Sequence, residues 1–264
     1  MKSPRVKIAC AFALGFFASI PAAGAADITW GTATTIAGDT DVSTVGSPFS
    51  AFNIGNTGVA SVTVNGVFFA PFPIANGSTG ASNAALSVAG FGGSQPVATA
   101  LPLGSASAPF ISLSAGYRTL LSTGAVEAPF VQILDVNLTG LTIGSSYIVQ
   151  LWINDSSLSA GSPVAAREVS DFNGHFAAVD TNVGNIVGGV GTHITGSFVA
   201  DASTEFLSVH GGIAAAGSDG AVLNAIQVRV VPEPATLGLS AAALLLLLSR
   251  RPFRSTPGHR RLDH

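Results

Sequence analysis

The chain has 264 residues, of which 47% are hydrophobic and only 9% are charged. Between residues 27 and 231 it carries three arginines, no lysine and twelve acidic residues, a net charge of −9. A surface this acidic repels phosphate backbones, so nucleic acid is excluded as an expected partner. The carboxylates are compatible with bound Ca²⁺, although solubility alone also explains them, and no other cofactor is indicated.

Residues 1–26 have the layout of a secretory signal peptide. An apolar run at residues 8–20 follows a positive region whose basic residues are Lys2, Arg5 and Lys7. Ala23 and Ala25 fit the two pockets of signal peptidase, so cleavage is expected next to Ala25 or Ala26. About thirteen apolar residues are few for crossing a bilayer, which makes a retained N-terminal anchor the less favoured alternative.

Residues 27–231 are expected to form one domain, because no charged or proline-rich linker divides them. Gly, Ala, Ser, Thr and Val dominate this stretch, whereas residues that favour long helices are scarce. Alternating or strongly apolar patterns predict strands within residues 59–69, 130–138, 147–155, 193–199, 205–210 and 221–231. The predicted fold class is therefore all-β, an antiparallel β-sandwich.

Two local features refine this prediction. Asn65-Gly66 lies between apolar alternations and predicts a turn or a β-bulge. The short polar segment 200–204 predicts that residues 193–199 and 205–210 pair as an antiparallel hairpin.

Three strand motifs mark the second half of the domain: Gly140-Leu-Thr-Ile-Gly144, Tyr147-Ile-Val-Gln-Leu-Trp-Ile-Asn-Asp155 and Leu223-Asn-Ala-Ile-Gln-Val-Arg229. Together they resemble a malectin-like or galactose-binding-like jelly roll, over roughly residues 125–231. The resemblance implies that the tyrosine strand supplies the core and that the Leu-Asn-Ala-Ile strand closes the sandwich. Because many domains of this group bind sugars, it also implies a polysaccharide ligand, on the ground of fold alone.

A candidate binding surface follows the strand at residues 147–155. An aromatic ring beside amide and carboxylate groups suits sugar recognition, since the ring stacks on C–H faces and the polar groups bind hydroxyls. The candidate residues are Trp152, Asn154, Asp155, Arg167, Asp171 and His175. The alternative places Trp152 in the core and makes Asn154 and Asp155 ordinary turn residues.

Asp39 and Asp41 form a second candidate site, for Ca²⁺. The Asp-x-Asp spacing is common in loops, and the glycine and distal glutamate of an EF-hand are missing. No nucleophile elbow, zinc-protease motif or phosphate-binding glycine loop is present either. The chain is therefore predicted not to be an enzyme. The alternative is a secreted carbohydrate-active enzyme whose paired carboxylates no motif reveals.

The C-terminal segment 232–251 begins with Pro-Glu-Pro. Pro232 and Pro234 hold this stretch extended and leave Glu233 accessible between them. Residues 237–248 then span about 18 Å as a helix, short of the roughly 30 Å of a hydrocarbon core. The positive pair that follows, Arg250-Arg251, is expected to remain on the cytoplasmic side.

Val231-Pro-Glu-Pro-Ala-Thr, the apolar run and the arginine pair resemble the PEP-CTERM sorting signal of Gram-negative bacteria that make extracellular polysaccharide. The resemblance implies an exosortase-type processing enzyme as partner and transient residence in the inner membrane. It departs from the usual pattern in a basic, turn-rich tail at residues 252–264. The alternative is an ordinary tail anchor without an enzyme.

These features predict an exported protein of the cell surface or extracellular matrix, in which a non-catalytic β-sandwich is flanked by an N-terminal signal helix and a C-terminal hydrophobic helix. Two roles remain open for the sandwich: it binds polysaccharide, or it is a structural passenger without a ligand.

Overall fold

The computed structural model describes residues 25–91, 96–98, 103–127, 133–157, 167–211 and 220–232. One α-helix, α1 (Ala115–Leu121), and 3-10 turns at Asp39–Asp41 and Phe110–Ser112 lie among these residues. The strands are β1 (Thr29–Trp30), β2 (Thr34–Thr35), β3 (Ser47–Gly55), β4 (Val62–Val64), β5 (Val67–Pro73), β6 (Gly80–Ser82), β7 (Leu86–Gly90), β8 (Pro96–Ala98), β9 (Ala125–Glu127), β10 (Ile133–Thr139), β11 (Ser146–Ile153), β12 (Arg167–Asp171), β13 (Phe176–Val179), β14 (Thr192–Val199), β15 (Thr204–His210), β16 (Val222–Leu223) and β17 (Ala225–Val231).

The strands form two large sheets and a small one. Sheet I has the order β1-β14-β11-β17-β3-β5-β4, with β2 also paired to β14. Sheet II has the order β13-β12-β15-β10-β7-β6, and sheet III joins β16, β9 and β8. The predicted all-β, sandwich-like architecture is confirmed. One edge departs from a purely antiparallel arrangement, because residues 52–55 of β3 run parallel to residues 70–73 of β5.

Alternate side chains of the central strands build the interior between sheets I and II. In β10 the buried positions alternate with half-buried ones, as a strand with one covered face requires. The interior cluster includes Leu134, Val136 and Leu138 of β10, Tyr147, Val149 and Leu151 of β11, and Leu207 and Val209 of β15. Tyr147 lies in this core, stacked on Phe198 at 5.5 Å between ring centroids.

The predicted hairpin of residues 193–199 and 205–210 is wrong. Both strands exist, but β14 pairs with β11 in sheet I and β15 pairs with β10 and β12 in sheet II. The segment 200–203 crosses from one sheet to the other. Short-range patterning cannot separate a hairpin turn from such a crossing, because both need a polar segment between alternating strands.

The predicted turn at Asn65-Gly66 is confirmed. Both residues have positive φ, 48° and 74°, which is the conformation that a two-residue hairpin turn of type I′ requires. Val64 of β4 is directly opposite Val67 of β5.

A second core covers the outward side of sheet I. Helix α1 begins at the N-cap Ser114, whose hydroxyl accepts a hydrogen bond from the Tyr117 amide at 3.1 Å. Tyr117, Leu120 and Leu121 of the helix are fully buried against Phe69 and Trp152, which belong to sheet I. Sequence analysis did not predict this helix, because its seven residues are too few to show a helical period.

Three polar side chains of sheet I hold an extended strap, residues 41–46, against its outward face. The Gln150 amide donates to the Asp41 carbonyl at 2.7 Å, and the Gln227 amide donates to the Ser43 carbonyl at 2.9 Å. Arg229 donates to three successive carbonyls, those of residues 44, 45 and 46, at 2.6–3.0 Å. The buried guanidinium is thereby satisfied by main-chain oxygens.

The predicted signal helix and C-terminal hydrophobic helix lie outside the described residues, as do Ala23, Glu233, Pro234, Arg250 and Arg251. Within the described ranges, no helix is long and apolar enough to cross a membrane.

Candidate functional site

Trp152 lies in the second core and is 0% exposed. Its indole Nε1 donates to the Tyr117 hydroxyl at 2.9 Å, and Phe69 packs edge-on against the ring. The Tyr117 hydroxyl in turn donates to Asp41 at 3.0 Å, and burial together with the Asp41 charge raises the Tyr117 pKa. The proposed role of Trp152 as a stacking surface for a sugar is therefore wrong, because no ligand reaches its ring.

Asn154 also has a structural role. It is fully buried, and its Oδ1 accepts hydrogen bonds from the Gly191 amide at 2.9 Å and the Ser156 hydroxyl at 3.2 Å. Asn224 lies between β16 and β17, and its Oδ1 accepts a hydrogen bond from the Asn154 main-chain amide at 2.6 Å. Its Nδ2 donates to the carbonyls of Leu121, Thr123 and Asn154. The two asparagines thus join the strand ends to the chain around α1.

Asp155 and Arg167 both form hydrogen bonds with Thr181. The Asp155 amide donates to the Thr181 carbonyl at 2.8 Å, and the Arg167 guanidinium donates to the Thr181 hydroxyl. Arg167 is only 2% exposed. A buried guanidinium supports the fold at this position and is not accessible to a polymer.

Asp171 and His175 lie at the other end of β12, beside the N-terminal segment. The Asp171 carboxylate accepts from the amides of Ile28, Asn173 and His175 and from His175 Nδ1, all at 2.8–3.0 Å. Burial alone would raise the Asp171 pKa, but these hydrogen bonds outweigh it and lower the pKa. The exposed His175 has a raised pKa, because it bonds to the Asp171 carboxylate.

Asp27 completes a triad of possible metal ligands with Asp171 and His175. Four donors already occupy the Asp171 oxygens, however, so this carboxylate is saturated by N–H groups. The arrangement is a turn stabilised by hydrogen bonds.

Asp39 and Asp41 are the candidate Ca²⁺ ligands, and their carboxylates accept hydrogen bonds from main-chain amides and from a hydroxyl group. Asp41 Oδ2 accepts from the amides of Ala37 and Gly38 at 2.7 and 3.0 Å, and Asp39 accepts from the Ser114 hydroxyl at 2.6 Å. No group of three potential ligands forms around either aspartate in the described part of the chain. Both carboxylates fix the start of the strap against α1.

The six predicted ligand residues therefore do not form one surface. Trp152 and Asn154 are buried under α1, and Arg167 is buried beside Thr181. The Asp171 carboxylate already accepts four hydrogen bonds. Sequence proximity suggested a loop, but the structure places Trp152, Asn154, Arg167 and Asp171 in separate buried positions, whereas Asp155 is half-buried and His175 is exposed.

The outward side of sheet II, here called the polar face, combines exposed aromatic rings with hydrogen-bonding groups. Its strands lie in register, so the side chains form rows. One row runs Ala89, Asp135, Ser208, Ser170, Phe176, and the next runs Ile133, His210, Glu168, Ala178. A third row contains Ser87, Asn137 and Phe206, and the Phe172 ring lies 5.5 Å from the Phe206 ring.

The polar face carries both exposed phenyl rings and hydrogen-bonding groups. Phe172 is 62% exposed, Phe176 69% and Phe206 41%. Ser208 donates to Asp135 at 3.3 Å, and the Ser170 hydroxyl is 2.9 Å from His210 Nε2. Partial burial raises the Asp135 pKa, opposed by the Ser208 hydrogen bond and the nearby His210. One amide oxygen, Asn137 Oδ1, is buried without a hydrogen-bond partner.

Sequence analysis did not identify the polar face, although its signal is present. The outward positions of residues 133–139 and 204–210 carry Asp, Asn, Phe, Ser and His in alternation. Only the register between strands brings them together, and register is a tertiary property.

No protein-family model, curated protein or solved structure matches this chain.

Proposed function

We propose that the chain is an exported, exosortase-sorted protein of the cell surface or extracellular matrix, and that its non-catalytic sandwich binds polysaccharide on the polar face. The sorting part rests on the Val231-Pro-Glu-Pro sequence, the apolar run and the arginine pair that follow the domain. The host implied by this signal is a Gram-negative bacterium.

The way in which the chain leaves the domain supports sorting. Strand β17 is central in sheet I and ends at Val231, after which the exposed Pro232 begins the signal. All the strands of sheet I in the described part of the chain precede the Pro-Glu-Pro sequence, so removal of the segment that follows takes away none of them.

The two ends of the domain lie near each other. Asp27 and Val231 line the same groove of about 530 Å³ at one end of sheet I. Strands β1 and β17 are separated by β14 and β11, so three strand spacings, or roughly 14 Å, divide them. A precursor held at the membrane by both terminal segments could fold in this arrangement.

Replacement of Glu233 by alanine is expected to block sorting, because it removes the accessible carboxylate between the two prolines. In a polysaccharide-producing Gram-negative host that carries an exosortase, we expect the wild-type chain to lose its C-terminal mass, whereas Glu233→Ala stays in the membrane fraction. Intact-mass analysis of cell fractions measures both results. Asp201→Asn, an exposed acidic position between β14 and β15, is the charge-matched control. Equal processing of Glu233→Ala and wild type would contradict the proposal.

The composition of the polar face supports polysaccharide binding. Phenyl rings supply flat apolar surface for C–H groups of a sugar, and the neighbouring carboxylate, amide and hydroxyl groups can exchange water for sugar hydroxyls. The rows extend across several strands, so the face suits a polymer better than a small molecule.

Phe206→Ala and Phe172→Ala are each expected to weaken polysaccharide binding about tenfold, since loss of one stacking ring removes roughly 1–1.5 kcal/mol. The measurement is co-sedimentation or calorimetry with extracellular polysaccharide from a producing bacterium, preceded by a glycan array. Phe68→Ala removes from sheet I a ring that is 61% exposed, close to the 62% of Phe172, and is the matched control. Equal weakening by Phe68→Ala, or unchanged binding in both variants of the polar face, would contradict this site.

We further propose a jelly-roll relationship to the malectin-like and galactose-binding-like domains. Strand order supports it: β3, β17, β11 and β14 are neighbours in sheet I, and β7, β15, β12 and β13 follow one another in sheet II with β10 inserted after β7. Along the chain these eight strands change sheet at every step except between β12 and β13, which pair with each other in sheet II, and this order is that of two Greek keys.

A further inference from the structure

Two buried carboxylates of sheet II hold the segment that precedes β1. The Ala26 amide nitrogen lies 2.7 Å from Glu205 Oε2, and the Ile28 amide nitrogen lies 2.8 Å from Asp171 Oδ2. In an extended chain, alternate amides point to the same side. The carboxylates therefore take the place of a neighbouring strand, and Ala26 is only 5% exposed.

The Glu205 carboxylate is buried without a positively charged group beside it among the described residues. It is 0% exposed, and among the residues that the structure describes its second oxygen, Oε1, has no hydrogen-bond partner. Burial raises the Glu205 pKa to about 7, and the nearest charges acting on it, Asp201 and Asp171, are also negative. Buried carboxylates are normally paired with a cation, because burial of an unpaired charge is costly.

We propose that Glu205 binds the α-ammonium group that signal peptidase creates at Ala26. Hydrolysis of the Ala25–Ala26 bond adds one water: the leader departs with a carboxylate on Ala25, and the Ala26 nitrogen becomes a primary amine that takes up a proton. That nitrogen already lies within hydrogen-bond distance of Glu205 Oε2. Its additional hydrogens give the unpartnered Oε1 a donor. This inference rests on the export proposed above.

The geometry also selects one of the two cleavage positions that the sequence leaves open. Cleavage after Ala25 keeps the Ala26 nitrogen and gives it the positive charge that Glu205 needs. Cleavage after Ala26 would remove this nitrogen and leave the buried carboxylate without its donor. Asn173 donates to both the Ala25 carbonyl and the Asp27 carboxylate, at 2.5 and 2.8 Å, so its contact with Asp27 survives cleavage after Ala25.

Processing replaces the neutral amide donor by a charged ammonium donor, so the hydrogen bond to the Glu205 carboxylate becomes an ion pair in which both groups are charged. The processed end would then fasten β1 to the edge of sheet I, where Thr29 and Trp30 pair with Ser197 and Gly196. Export and final stability are thereby coupled, because only the processed chain carries the ammonium group at the correct position.

The chain offers a clean test, because Lys2 and Lys7 are its only lysines. After processing, the α-amine is the only primary amine left. Two forms that begin at Ala25 and at Ala26, and otherwise continue to the same C-terminus, differ by one alanine and have the same terminal residue. Each is prepared with Glu205 and with Glu205→Gln.

In the Ala26 form we expect an amine-reactive ester to label the folded protein at least about tenfold more slowly than in the Ala25 form. We also expect its unfolding equilibrium constant to be at least about tenfold smaller, as a charge-assisted bond implies. Glu205→Gln should abolish both differences. N-terminal sequencing of the exported chain should begin at Ala26.

Equal labelling and equal stability of the two forms would overturn the proposal, as would an advantage of the Ala26 form that survives in Glu205→Gln. An exported chain that begins at Asp27 would overturn it as well. A chain that is not exported at all would contradict the proposed function, whereas the comparison of the two matched forms would still report whether Glu205 binds the ammonium group.

Discussion

Trp152→Ala is expected to lower the free energy of unfolding by about 3–5 kcal/mol, the usual cost of removing a large aromatic side chain from a core. Trp152 is fully buried, contacts Phe69 edge-on and donates to Tyr117, so the cavity cannot be filled by water without further loss. Urea denaturation followed by circular dichroism measures the effect. Polysaccharide affinity of the protein that remains folded should be unchanged, because the indole lies on the outward side of sheet I, away from the polar face.

Two further variants separate this structural role from a binding role. Phe68→Ala removes a ring that is 61% exposed and should change stability by less than about 1 kcal/mol. Trp152→Phe keeps most of the packing but leaves the Tyr117 hydroxyl without the indole donor, and an intermediate loss is expected. Loss of sugar binding in Trp152→Phe with stability retained would contradict the assignment of Trp152 to the core.

Asn224→Ala is expected to destabilise the domain by about 3–4 kcal/mol. The side chain satisfies one amide, that of Asn154, and three carbonyls, those of Leu121, Thr123 and Asn154, at 2.6–3.1 Å. Alanine leaves these main-chain groups buried without a partner, and each such group costs about 1–3 kcal/mol before any relaxation. Thermal or denaturant unfolding gives the magnitude.

Asn83→Ala is the matched control for this prediction. The exposed Asn83 accepts from two amides, those of Ala85 and Leu86, at 2.8 and 2.9 Å, but water can replace it there. We expect a loss below about 1 kcal/mol. If Asn224→Ala were no more destabilising than Asn83→Ala, the network that joins α1 to the strand ends would have no energetic importance.

These two expectations bear on the function. Trp152 and Asn154 belong to the part of the molecule that supports sheet I, so they cannot also form an accessible site. The polar face is carried by sheet II, on the opposite side of the main core. We therefore expect the proposed polysaccharide binding and the stability of the core to change independently, with Phe206→Ala affecting the first and Trp152→Ala the second.

The sequence by itself determined the local features. Composition excluded long amphipathic helices, and hydrophobic patterning located eight of the seventeen described strands, namely β4, β5, β10, β11 and β14–β17. Asn65-Gly66 specified a turn that only residues tolerant of positive φ can form. It also supplied the basis for the export and sorting proposals, since signal peptides and sorting segments are recognised as short linear sequences. These properties depend on residues close together in the chain.

Only the tertiary structure decided which strands pair and which polar groups meet. The polar segment 200–203 crosses between sheets instead of forming a hairpin turn, and nothing within those residues distinguishes the two outcomes. Trp152 is buried because α1, far away in the chain, covers it. Glu205 meets Ala26 across 179 residues of sequence. Strand register and helix packing create these contacts, and both depend on the free energy of the whole core, which no local pattern contains.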